Sequence, residues 1–174
     1  MRTQFSAVVA FSAVLLAAGL SQAAPGGGGG SNNSTDSATA NVTATVVAPI
    51  TLNKTSDLSF GTFTSDTAAC TVAVSANNTQ TVTGNCAPLS GSTISAAGFT
   101  VGGSGNRNFT TNVSATSPTL SDGAGHTMGL TLQNNAPTHL TNGAATINVY
   151  GSLAVAANQA AGSYADTVTV TVSY

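Results

Sequence analysis

Apolar and polar residues alternate through residues 38–46, where Ala38, Ala40, Val42, Ala44 and Val46 are interleaved with Thr39, Asn41, Thr43 and Thr45. A period of two puts all five apolar side chains on one face of a strand. Pro49 ends or kinks that strand, because proline has no N–H to give to a ladder. Short stretches of the same kind follow at residues 58–63, 68–76, 79–86, 98–101, 109–113, 128–132, 147–155 and 168–174. Turn clusters separate them: Gly102-Gly103-Ser104-Gly105-Asn106, Ser121-Asp122-Gly123, Asn134-Asn135, Asn142-Gly143 and Ala161-Gly162-Ser163. No segment of helix length carries the 3.6-residue period. Strands and turns at this spacing predict an all-β chain, an Ig-like antiparallel β-sandwich. Its expected core comprises Leu58, Phe60, Val72, Phe99, Leu130, Leu132, Ile147, Val149, Leu153, Val168, Val170 and Val172.

Upstream of residue 38 the pattern changes twice. Arg2 precedes a nearly unbroken apolar run over residues 5–20, and Ser21-Gln22-Ala23 then offers small residues at the positions a signal peptidase reads. The expected organisation is a signal peptide over residues 1–23, a Gly/Ser/Asn-rich flexible spacer over 24–37, and the β-sandwich domain over 38–174. The leader's apolar run is shorter than the roughly 20 residues a bilayer span needs. No later stretch approaches that length, so the expectation is export without an integral membrane segment, to the periplasm, the cell surface or the medium.

In an oxidising compartment Cys70 and Cys86 are expected to form one disulfide within the domain. Residues 68–76 and 79–86 read as a hairpin. A three-residue turn centred on Asn78 would set Val74 opposite Val82, Val72 opposite Gly84 and Cys70 opposite Cys86, all on one face.

Composition narrows the function classes. Of 174 residues only 5% are charged against 41% hydrophobic, the formal net charge is −2, and Trp is absent. Threonine, serine and asparagine supply the polar surface that charged residues ordinarily provide. With Arg2 in the leader, Lys54 and Arg107 cannot neutralise a phosphate backbone, which excludes nucleic acid as a partner. Five scattered aspartates and two histidines give little material for acid–base catalysis. His126 and His139 have no second ligand at metal spacing. Ser121, Asp122 and His126 are the residue types of a hydrolase triad, but they share one turn rather than converging from separate elements. The Gly-rich run ending at Arg107 lacks the Lys-Ser/Thr of a phosphate loop. The expectation is no catalytic site, no metal and no cofactor.

Ala48-Pro49-Ile50-Thr51-Leu52-Asn53-Lys54-Thr55-Ser56-Asp57-Leu58-Ser59-Phe60-Gly61 resembles the opening signature of a secreted bacterial family called domain of unknown function 4402. The closing stretch, with Ile147-Asn148-Val149-Tyr150-Gly151-Ser152-Leu153, Gly162-Ser163-Tyr164 and Val168-Thr169-Val170-Thr171-Val172-Ser173-Tyr174, is similar to that family's last strands. The same elements resemble the spore coat U and archaic chaperone–usher pilin group. Pilins of that group usually carry a Cys just after the donor segment, and Val47-Ala48-Pro49-Ile50 has none, which draws the chain closer to the uncharacterised family. The resemblance implies a fibre, pilus-like or coat subunit that associates with itself or with related subunits, with a periplasmic chaperone and an outer-membrane assembly protein as partners. In that setting residues 38–46 are either a donor strand given to a neighbour's sheet or the first strand of the chain's own sandwich. The alternative is a monomeric secreted adhesin or carbohydrate-binding module, which would need a loop cluster carrying aromatics and carboxylates.

Overall fold

The computed structural model describes residues 35–174. The expected signal peptide and residues 24–34 of the expected spacer lie outside them. The compact unit spans Ala44–Tyr174. Among the described residues there are eleven strands and no helix, in keeping with a sequence rich in β-branched residues and turn formers.

Seven strands form one antiparallel sheet: β1 (Thr51–Ser56), β3 (Cys70–Val74), β4 (Gln80–Gly84), β6 (Ala97–Gly102), β8 (Thr119–Ser121), β9 (Thr127–Asn134) and β10 (Ala144–Val155). β10 is its spine. Along one edge its first half pairs with β6, Ile147 facing Phe99, and its second half pairs with β3, Leu153 facing Val72. Along the other edge it pairs with β9, Leu153 facing Leu130. β1 extends the sheet beyond β6, β4 beyond β3, and β8 beyond β9. Two small ribbons complete the unit, β7 (Thr110–Ala115) with β11 (Val168–Ser173), and β2 (Phe63–Thr64) with β5 (Ala87–Pro88).

The period of two decides where the core sits. On β10 the odd positions Ile147, Val149, Gly151, Leu153 and Val155 are buried and the even ones are not. Ile147 and Val149 join Phe99, Val101, Phe109 and Leu140 in one cluster, against which Val168, Val170 and Val172 of β11 pack. Leu153 and Val155 join Phe60, Val72, Val74, Met128 and the cysteines in another, against which Phe63 packs. One strand therefore carries both halves of the core, each beneath its own ribbon. Of the residues expected inside, Phe60, Val72, Phe99, Ile147, Val149 and Leu153 are buried, and the others are half-buried against the clusters. Leu140, completely covered, belongs to no periodic run and gave no signal.

Cys70 and Cys86 are joined, as expected. The hairpin that carries them is not in the expected register. Ser75 N–H donates to Thr79 O and Asn78 N–H donates to Ser75 O, so the three-residue loop is centred on Asn77 and Asn78 takes the left-handed conformation at φ 60°. That is the usual three-residue loop, a turn closed by a left-handed residue, and asparagine tolerates the position. Moving the centre by one residue moves every partner by two. Val72 faces Val82, Val74 faces Gln80, and Cys70 faces Gly84. Diagonal partners are ordinarily about 7–8 Å apart. Gly84, at φ 96°, bends the chain after β4 and brings the Cα atoms of Cys70 and Cys86 to 5.8 Å. A left-handed φ of this size is open to glycine at little cost. Asn78 is held from outside too, since its Oδ1 accepts the Ala96 N–H at 2.7 Å.

One further expectation changes. Residues 58–63, read as a strand, form only a bridge between Ser59 and Ser95 and the short β2. Beyond β11, the Tyr174 hydroxyl accepts the Ser104 N–H at 2.8 Å and ties the last residue to the loop after β6. Tyr174→Phe, which loses only that bond, is expected to lower stability by about 0.5–1 kcal/mol in chemical denaturation. A change beyond 2 kcal/mol in either direction would contradict so exposed a bond.

Candidate functional site

Residues 38–46 belong to no strand. Ala38, Ala40, Val42 and Ala44 are exposed, as is Val46, and Val42 and Val46 show 95% and 96% of their surface. Valine is among the residues most often found inside. Val42 and Val46 are the most exposed large apolar side chains among the described residues.

The turn that resembled a hydrolase triad has a different geometry. Asp122 Oδ1 accepts the N–H groups of Ala124 and His126 at 2.8 and 3.0 Å, and His126 Nδ1 lies 2.6 Å from Asp122 Oδ2. Ser121 Oγ accepts the Gly123 N–H at 3.1 Å rather than meeting the imidazole. Asp122 is thus the hub of a turn, a carboxylate saturated by donors from its own loop. The His126 side chain first, and the two N–H groups after it, hold its carboxyl below the ordinary value, against a desolvation that raises it. With the folded pKa below the unfolded one, the carboxylate's stabilisation is complete above the unfolded value and is lost as the pH falls through the folded one. Asp122→Asn is accordingly expected to melt below the parent at neutral pH, with the gap closing below about pH 4. A gap that is constant from pH 7 to 3 would refute this role.

His139 pairs only through a backbone bridge to Asn108 and is exposed. Lys54 Nζ lies 2.6 Å from Asp57 Oδ1, an exposed pair. Among the described residues no three His, Cys, Asp or Glu side chains converge as a metal site would require.

A groove of about 750 Å³ opens over the second core cluster. One wall is residues 58–65, the other residues 159–164, and Leu120, Met128 and Leu153 of the large sheet form its floor. Ser59 exchanges both backbone bonds with Ser95 on the far side of its wall, and Thr62 O accepts the Leu89 N–H there. The opposite wall meets the sheet where Ala165 and Ser121 exchange backbone bonds. At one end the walls are clasped. Asn158 N–H donates to Asp66 O at 2.8 Å, and Ser65 Oγ donates to Gln159 O at 2.9 Å. No residue lining the groove carries a charge. The sequence marked Leu58, Phe60, Leu153 and the turn at Ala161-Gly162-Ser163 separately. Their meeting was hidden because the walls stand about a hundred residues apart in the chain.

No curated protein and no solved structure matches the chain. A family model described as Domain of unknown function (DUF4402) matches residues 50–174, from just ahead of β1 through Tyr174. The match takes in both stretches that carried the resemblance and stops short of residues 38–46. The chain is a member of that family.

Proposed function

We propose that this protein is a non-catalytic, exported structural subunit of a bacterial surface fibre, pilus-like or coat assembly, an Ig-like sandwich whose copies join when residues 38–46 of one are added to the sheet of another. The observation that carries the reading is the unpaired segment with Val42 and Val46 almost wholly exposed. Strand addition takes affinity from main-chain hydrogen bonds and specificity from alternate side chains in pockets, and residues 38–46 offer both. The sparsely charged surface fits the same role, since copies that stack closely then bring few like charges together. Export rests on the leader pattern at residues 1–23, and assembly through a periplasmic chaperone and an outer-membrane protein on the resemblance to pilins. An adhesin would present recognition side chains from a loop cluster, and the loop at Asp122 and His126 spends its polar groups on itself. Size-exclusion chromatography and negative-stain microscopy of the purified mature chain are expected to show linear polymers whose length grows with concentration. A monomer at every concentration would overturn the reading.

A further inference from the structure

We infer that the groove between residues 58–65 and 159–164 is the acceptor site, and that its occupant is residues 38–46 of a second copy of this chain; the inference rests on the strand-donation reading above. The large sheet's apolar face is covered by two separate ribbons, β2–β5 over one part and β7–β11 over the other. Between the stretches leading out of the first and into the second, the floor residues Leu120, Met128 and Leu153 border the open groove.

The place is shaped for an extended chain. Residues 58–62 already spend backbone groups on Ser95 and Leu89, away from the groove. An entering strand meets an apolar floor between the two walls.

The occupant follows from chemistry. The groove offers apolar surface, hydroxyls and no charge, and so excludes a charged peptide, whose ionised groups would lose water without gaining a partner. Residues 38–46 carry no charge and pair a row of Ala and Val with a row of Thr and Asn. Val42 and Val46 stand four residues apart on that row, about 13 Å along an extended chain, with the small Ala44 between them. The clasp of Asn158 on Asp66 and Gln159 on Ser65 sets a stop, so the strand enters from the opposite end.

The test uses the full mature chain in two single-cysteine forms, Val42→Cys and Ser163→Cys, mixed under mild oxidation with the Cys70–Cys86 disulfide intact. Ser163 is exposed on the groove wall. The expected product is a disulfide-linked dimer of the two forms, absent when Ser163→Cys is replaced by Thr131→Cys, which is exposed on β9 away from the groove lining. Alongside it, Ala161→Trp fills the groove from an exposed wall position and is expected to abolish polymers with no change in melting temperature. Linkage to Thr131→Cys instead, or polymers of Ala161→Trp at parental level, overturns the groove as acceptor while leaving strand donation standing. Polymers of a Val42→Asp chain at parental level overturn strand donation itself, and the two failures are thereby told apart.

Discussion

Gly151→Ala is expected to unfold the protein or to cost at least about 3 kcal/mol, the top of the usual range for overpacking. Gly151 stands at the middle of β10, facing Val74 on one side and Leu132 on the other. Its position is on the buried face, between Val149 and Leu153. A methyl group there would overlap the Thr131 carbonyl oxygen, with the carbonyl carbon at 3.1 Å and the Leu132 Cα at 3.2 Å. All three are backbone atoms of β9, which no rotamer change can remove. β9 would have to leave β10, taking Leu130 and Leu132 from the two clusters they pack against. Gly129→Ala is the matched control, the same added methyl on the same strand pair, with the Ala154 Cβ as its nearest neighbour at an ordinary 3.4 Å. That change is expected to stay within about 1 kcal/mol and to favour folding if it does anything, because alanine narrows the unfolded ensemble. Urea midpoints decide it. Equal midpoints for the two variants would show that β9 yields freely, against the close packing of protein interiors.

How much of this was legible in the sequence depends on whether the information is local. Alternation along β10 and β11 marked the strands and their inward faces, because a side chain's face follows from parity alone. The disulfide was legible from the even count of cysteines and their place in one expected hairpin. The hairpin register was not, because it turns on which of two adjacent asparagines adopts the left-handed conformation. That choice is made partly by Ala96, whose N–H binds Asn78 from 18 residues away. β1 was masked by its own composition, since Thr51, Asn53, Lys54 and Thr55 are exposed and only Leu52 and Ser56 turn partly inward. Its pairing with β6 is what makes it a strand. Ser121, Asp122 and His126 share one turn, and in it Asp122 Oδ1 accepts the backbone N–H groups of Ala124 and His126.

The groove belongs to a third kind of information, present in neither local pattern nor count. Its walls are two stretches that each looked unremarkable, a weak strand over 58–63 and a turn at Ala161-Gly162-Ser163. Only the topology, with β10 bridging two core clusters under two separate ribbons, leaves room between them. A local conflict of this sort, an apolar floor without a complete cover, is where function is expected when the rest of a sequence agrees with its fold.

Val42→Asp is expected to abolish polymers and to leave the monomer's melting temperature unchanged, whereas Thr43→Asp leaves both as they are. The two differ in face alone. Val42 lies on the apolar row of residues 38–46 and Thr43 on the polar row, and both are exposed in the isolated chain. Neither substitution removes a contact from the core, so the folded monomer has no reason to respond. On docking, the inward row loses water and the outward row keeps it. An aspartate carried inward either sheds its solvation unpaired or takes up a proton, and at neutral pH a cost of about 3 kcal/mol is a modest expectation. That cost raises the concentration needed for assembly by about two decades. The penalty also has a pH signature. Protonation relieves it, so polymers of the Val42→Asp chain are expected to return in part below about pH 4, while those of Thr43→Asp show no such recovery to make. Should the two variants polymerise alike, the face of residues 38–46 does not matter and no strand is being donated. Should Val42→Asp lower the monomer's melting temperature instead, residues 38–46 are packed within their own chain, and the fully exposed Val42 cannot be the state that assembles.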